Sequence, residues 1–200
     1  MENNMRTESW FPTTFNYGLL HTINLKQLEL FAYDLRSKDE GRVTSNNNGT
    51  WQSNDLDLNL HILQPLINEA TKHFETLHKE LGYREDLRPV IDNMWININP
   101  KGGTTNPHVH QDNILSGVFY VKANKDSGKI VFPHPSSNFS YHFHWKTIGE
   151  YNEKNSTFCS HMPQAGKIIL FPSYALHYVE PNLSDEDRIS FAFNTKLIER

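Results

Sequence analysis

The sequence predicts an α+β chain in which N-terminal helices pack on a double-stranded β-helix, or jelly roll. Three observations lead there. Helical spacing of apolar residues is confined to the first 88 residues. After Pro89 the pattern becomes short alternating segments, and turn residues separate those segments at close intervals, as in antiparallel sandwiches and barrels. A length of 200 residues suits one domain with a sizeable core. The expected organisation is therefore a single domain over 1–200, mainly helical in 1–88, with the jelly-roll core and its site in 89–200.

Taken in order, "SWFPTTFNYGLLH" reads as an opening strand. Asn24 stands where a helix N-cap belongs, before "LKQLELFAYDL", whose Leu25, Leu28, Leu30, Phe31 and Leu35 recur at helical spacing. Residues 36–55 are rich in Asn, Ser and Gly and read as a loop, with Trp51 pinned against the domain. A second helix fits "LNLHILQPLINEATKHFETLHKELGY", with one stripe from Leu63 to Leu81 and Gly82 as its stop. His61, His73 and His78 in this region are expected at the surface or at an edge. The strand candidates that follow are "PVIDNMWINI", "ILSGVFYVKA", "KIVFPHP", "NFSYHFHWKTI", "STFCSHM", "KIILFPS" and "RISFAFNTKLI", with turns such as "NPKGGTTNP", "NKDSG" and "PQAG" between them.

Composition limits the function classes. A 37% hydrophobic, 12% aromatic chain is globular. With 19 basic and 23 acidic residues, the formal charge of −4 offers no broad attraction to nucleic acid or anionic membranes. The single Cys159 cannot form an internal disulfide and is expected in the core. No apolar run reaches the roughly 18 residues of a spanning helix. These features point to a soluble cytoplasmic protein, and 11 histidines hint at metal chemistry.

The motif that carries most information is "NPHVHQDNILSGVFYV". Alternate side chains of a strand share a face, so His108 with His110, or His110 with Asp112, can converge on one ion. "YHFHW" repeats the H-x-H pattern at His142 and His144, so the pattern alone decides little. Downstream, "FPSYALHYVEPNLSDEDRISFAFN" supplies His177, then Arg188 and Ser190 on one face of a final strand. The planar fork of arginine suits a carboxylate, although Arg188 alone would also fit a surface ion pair with the acidic "SDED" run. Trp95, Asn97 and Asn99 alternate along "MWININ" and are candidates to line a pocket, while His134, His142, His144 and His161 are candidates for its mouth.

These ordered motifs resemble the non-haem iron(II), 2-oxoglutarate-dependent oxygenases of the prolyl-hydroxylase type, with H-x-D, a distal His and Arg-x-Ser. "GTWQSNDL", "MWININPKGGTTNPHVH", "LSGVFYV" and "AGKIILFPSYALHYVEPN…RISFAFN" are more closely similar to blocks of a bacterial and phage branch of that superfamily. The resemblance spans roughly residues 51–194 and is strongest after Asp92. It implies an iron(II)- and 2-oxoglutarate-dependent dioxygenase that hydroxylates an unidentified substrate with release of succinate and CO2, in a bacterial or phage-infected cytoplasm. It implies His177 as distal metal ligand and Arg188, Ser190 and Tyr120 as the oxoglutarate-carboxylate site. Two early ligand pairs stay open. "PHVH" would use His108 and His110, the pair the closer branch favours, whereas "HQD" would use His110 and Asp112. The first leaves the metal one unit more positive. Two other functions compete: a three-histidine cupin-like metalloprotein and a non-enzymatic jelly-roll binding or structural module. Dioxygen and 2-oxoglutarate are the implied partners. Substrate and oligomeric state are not legible.

Overall fold

Asn24 caps the first helix as its position predicts: its side-chain oxygen accepts from the Gln27 N–H at 3.1 Å. The computed structural model describes residue 9 and residues 11–136 and 145–200. In chain order it comprises β1 (Asn16–Leu19), α1 (Leu25–Lys38), β2 (Asn46–Asn47), β3 (Trp51–Gln52), α2 (Gln64–Glu80), β4 (Leu87–Asn99) and β5 (Thr104–His108). There follow β6 (Leu115–Lys122), β7 (Ile130–Pro133), β8 (Phe158–His161), β9 (Lys167–Pro172), β10 (His177–Val179) and β11 (Arg188–Glu199). Every strand pairing among the described residues is antiparallel. One sheet runs β1-β9-β6-β11-β4-β3 and the other β2-β5-β10-β7-β8.

Both helices bury an apolar stripe against the six-stranded sheet. Leu28 and Ala32 of α1 and Leu66, Ala70, Phe74 and Leu77 of α2 join Met94, Ile96, Phe119, Phe191 and Phe193 in one core. Phe74 meets Phe193 edge to face at 5.8 Å. Each such large side chain, fully buried, contributes about 1.5–3 kcal/mol before entropy is counted. The pleat divides the central strands into two chemistries. Ile189, Phe191 and Phe193 of β11 face the helices with Ile96 and Ile98 of β4. The intervening residues form cross-strand rows on the opposite face: Arg188 with Asn99, Ser190 with Tyr120 and Asn97, Ala192 with Val118 and Trp95, and Asn194 with Ser116 and Asn93. That second face looks toward the smaller sheet and builds the site.

Several expectations change. Residues 36–55 are not only a loop, because Trp51 and Gln52 pair with Ile98 and Asn97, and Asn46 and Asn47 with Thr105 and Thr104. Trp51 is buried, its indole N–H donating to the Asp39 carbonyl at 2.9 Å. The α2 helix starts at Gln64 rather than Leu58, with Pro65 in its first turn, where a missing N–H costs nothing. It ends before Gly82, whose φ of 70° suits glycine. The turn expected at "NPKGGTTNP" is shorter, since β5 begins at Thr104. Strand β10 was not anticipated because three residues are too few to show alternation.

His78 is buried, not superficial. It stacks on Tyr83 at 5.3 Å and is 1% exposed, because the last turn of α2 presents it to the core beside Leu77. Cys159 is exposed rather than core, lying on β8, which among the described residues pairs with β7 alone. The "NFSYHFHW" segment, including His142 and His144, lies outside the described residues up to 144. Among the described residues no helix is long and apolar enough to cross a membrane.

Candidate metal centre and its cavity

Three histidines meet between the sheets. His108 ends β5 and His177 opens β10, directly opposite one another across the strand pair. His110 lies just beyond β5, pinned by its backbone N–H donating to the Ser173 carbonyl at 3.0 Å. The rings of His108 and His177 are 4.3 Å apart, and that of His110 is 5.0 and 5.2 Å from them. One nitrogen from each gives a group of donors all within 4.8 Å of one another. Metal–imidazole bonds of about 2.1 Å set donors about 3–4 Å apart, so the group is sized for one ion.

The protonation chemistry suits a metal as well. Burial, aided by the neighbouring His108, pushes His177 down to about 3 and His110 down to about 4. Burial lowers His108 too, against its bond to the Asn106 carbonyl. Near neutral pH the three rings are therefore uncharged donors. His108 Nδ1 lies 2.8 Å from the Asn106 carbonyl, and His177 Nδ1 lies 2.8 Å from the Ala175 carbonyl. An Nδ1–H donated to each carbonyl leaves Nε2 with its lone pair free, the arrangement that fixes ring orientation in metal sites. Imidazole donors suit iron(II), so the residues present fit that ion, and they equally suit zinc.

Asp112 is exposed and outside the triad. The chain turns at Gln111–Asp112, where Asp112 takes φ 62°. That turn breaks the alternation an H-x-D pair needs, so His110 and Asp112 do not share a face as they would in a strand.

The triad opens on a cavity of about 280 Å³. Its sheet wall is built from the second face of β4, β6 and β11, so Tyr120, Arg188 and Ser190 all line it. Arg188 is 2% exposed, which removes the surface ion pair as its role. Its Nη1 donates to the carbonyls of Ser127, Gly128 (3.2 Å) and Glu180 (3.4 Å). Burial of an arginine without an adjacent carboxylate lowers its affinity for the proton and leaves a site that an incoming carboxylate would satisfy. Tyr120 is 2% exposed, and burial raises its hydroxyl to about 12, so it stays protonated and able to donate.

Trp95, Asn97 and Asn99 also line the cavity, as their alternation suggested. His134 and His161 do not border it. His161 packs on Tyr17 and Phe132 instead. The sequence reading overlooked Arg42, Thr44, Asn46, Gln52, Asn93 and Asn194. Asn194 closes the alternation of "RISFAFN", and Gln52 sits in the "GTWQSNDL" block, so both carried a signal. Arg42 carried none, because its place depends on how the loop folds back onto β3.

A family model described as "Putative 2OG-Fe(II) oxygenase" matches residues 93–194. No match is found among the curated proteins. Among solved structures, a Pseudomonas putida prolyl-4-hydroxylase is similar at 15% identity, covering 91% of this chain and 91% of its own, with TM-score 0.59. The viral collagen prolyl hydroxylase from Paramecium Bursaria Chlorella virus-1 matches at 12% identity, covering 90% and 94%, with TM-score 0.57. The non-haem alpha-ketoglutarate-dependent epimerase SnoN from nogalamycin biosynthesis matches at 14% identity, covering 94% and 81%, with TM-score 0.67. At such identities the likeness is one of fold.

Proposed function

Since the chain belongs to the 2OG-Fe(II) oxygenase family, an oxidoreductase family dependent on iron(II) and 2-oxoglutarate, we propose that it hydroxylates a substrate with release of succinate and CO2. The observation that carries this reading is the convergence of His108, His110 and His177 in a cavity whose wall also holds the buried Arg188. His108, His110 and His177 are the proposed iron ligands, with Asp112 outside the set. Iron(II), when bound with 2-oxoglutarate, supplies the oxidising chemistry that side chains lack. The two sheets are read as the halves of a jelly roll.

In this proposal the chain's own residues bind, orient and exclude. Arg188 anchors the distal carboxylate of 2-oxoglutarate through guanidinium donors not spent on the loop carbonyls. Ser190 and Tyr120, cross-strand neighbours one row away, donate hydroxyl hydrogens to the same group. Tyr120 remains neutral and adds no opposing charge. Phe171 and Phe132, whose rings lie 4.9 and 5.6 Å from His177, keep water from that side of the metal centre. Without a carboxylate ligand the centre keeps one more positive charge than a two-His, one-carboxylate triad.

Anaerobic titration of the iron(II)-loaded protein with 2-oxoglutarate, followed by visible absorbance, tests the reading. A weak metal-to-ligand charge-transfer band is expected in the wild type and not in Arg188→Ala at the same concentrations. Bound iron with no band in the wild type would refute it. The three-imidazole donor set also favours zinc(II) held by three His and water. Tight zinc retention with no response to 2-oxoglutarate would support that second reading.

A further inference from the structure

Arg42 is a second guanidinium in the same cavity, and the proposed reaction gives it nothing to do. It comes from the loop before β2, and its place is set by several contacts. Its backbone N–H donates to the Gln52 carbonyl at 2.8 Å. The preceding Gly41 has φ 78° and lies so close to Gln52 and Trp51 that a Cβ there would sit 2.5 Å from the Gln52 carbonyl oxygen. The guanidinium carbon lies 5.4 Å from the centre of the Trp95 ring, and Trp95 in turn lies 5.6 Å from the ring of His110. One indole therefore separates Arg42 from the metal triad.

Its donors are only partly used. Nη2 meets Asp55 at 3.0 Å, an ion pair on the half-exposed rim. With the Gln52 carboxamide oxygen turned to its donors, that oxygen accepts from Arg42 Nε (3.1 Å) and Nη2 (3.2 Å) and from Trp95 Nε1 (3.2 Å). Among the described residues, Nη1 has no hydrogen bond. Such a pattern holds the guanidinium flat and fixed while leaving one edge for a ligand.

Charge narrows the ligand. The lining includes Arg42, Arg188 and three histidines but no Asp or Glu among the described residues, Asp55 meeting Arg42 from outside the lining. A divalent ion on the triad adds to the positive total. 2-Oxoglutarate would offset part of it, and one molecule cannot serve both arginines while also reaching the metal. Arg188 pairs with Asn99 on β4, whereas Arg42 covers Trp95, a position four residues, about 13 Å of backbone, along that strand. The remaining lining near Arg42 is carboxamide and hydroxyl, from Asn46, Asn97, Gln52 and Thr44, with no lysine.

We infer that Arg42, backed by Trp95 and Gln52, binds a carboxylate of the substrate, which makes the substrate a carboxylic acid presenting that group to the β3 side of the cavity. The inference rests on the oxygenase reading of the site. The test is a thermal-shift panel on protein loaded with manganese(II) and 2-oxoglutarate, using N-acetyl amino acids, each beside its primary amide. Carboxylates are expected to raise the melting temperature, their amides to bind about tenfold or more weakly, and Arg42→Gln to erase that preference. Arg42→Lys, which keeps the charge, is expected to restore part of it and carries the test should Arg42→Gln be unstable. A panel with no carboxylate binder, amides that bind equally well, or an unchanged preference in Arg42→Gln overturns the inference. The first step separates the two proposals. If manganese with 2-oxoglutarate gives no Arg188-dependent shift, the oxygenase reading fails and this inference falls with it. If that shift is present and the carboxylate preference absent, only the Arg42 assignment fails.

Discussion

His78 shows how a single side chain can set a pH dependence away from the site. It is 1% exposed, its Nε2 finds no hydrogen-bond partner among the described residues, and burial lowers its affinity for the proton. A histidine whose folded value lies below its unfolded one leaves the unfolded state binding more protons as the pH falls. Stability is therefore full above the ordinary value near 6.5 and declines as the pH drops through it. Urea denaturation at pH 7 and pH 5 should show a smaller acid loss in His78→Phe, which keeps the stack on Tyr83, than in the wild type. At the triad, His177→Ala should weaken iron(II) binding by about tenfold or more, equivalent to about 1.4 kcal/mol. Asp112→Ala should leave it unchanged, and metal analysis after dialysis distinguishes the two outcomes. The choice between His108 and Asp112 was not decidable from spacing, since both pairs satisfy a two-residue period. The exposure of Asp112 follows from the turn at Gln111–Asp112, whose left-handed Asp112 has no unique mark in the sequence.

Among the elements, the turn between β6 and β7 is the seat of Arg188. It offers the carbonyls of Ser127 and Gly128 to the guanidinium, and Gly128 is packed against the Glu180–Pro181 backbone. A Cβ at Gly128 would lie 2.5 Å from the Glu180 carbonyl oxygen and 2.6 Å from that of Pro181, at φ 78°. Gly128→Ala should therefore displace the turn and weaken 2-oxoglutarate binding, measured by calorimetry, as well as stability. Gly82→Ala is the control: φ is 70° but no atom lies within 4 Å, so it should cost only the backbone strain, about 1–2 kcal/mol, with binding intact. Long, strongly patterned elements were legible. The stripe of α2 and the polar–apolar alternation of "RISFAFN" named both the core face and the cavity face. The short elements were not. Strands β2, β3 and β10 are two or three residues long, and pairing with distant partners creates them rather than local preference. Arg42 became visible only with β3, because nothing in its own neighbourhood marks it as a cavity residue.

For the molecule as a whole, the triad ties the five-stranded sheet together at its centre, since β5 and β10 carry His108 and His177 and Ser173 holds His110. A metal bound only by the folded state adds RT ln(1 + [M]/Kd), about 2.7 kcal/mol at a hundredfold excess over Kd. Manganese(II) should raise the melting temperature, EDTA should reverse the rise, and His108→Ala should abolish it. One further consequence comes from the order of the six-stranded sheet. Near its centre is β11, which follows the other described strands in sequence and lies between β4 and β6. During synthesis those two strands leave the ribosome long before the strand that joins them. Until it arrives, the edges that β4 and β6 turn toward it have no partner strand. Ser190 and Arg188 belong to that same late strand, so the proposed carboxylate site and the keystone of the sheet come into being in a single event.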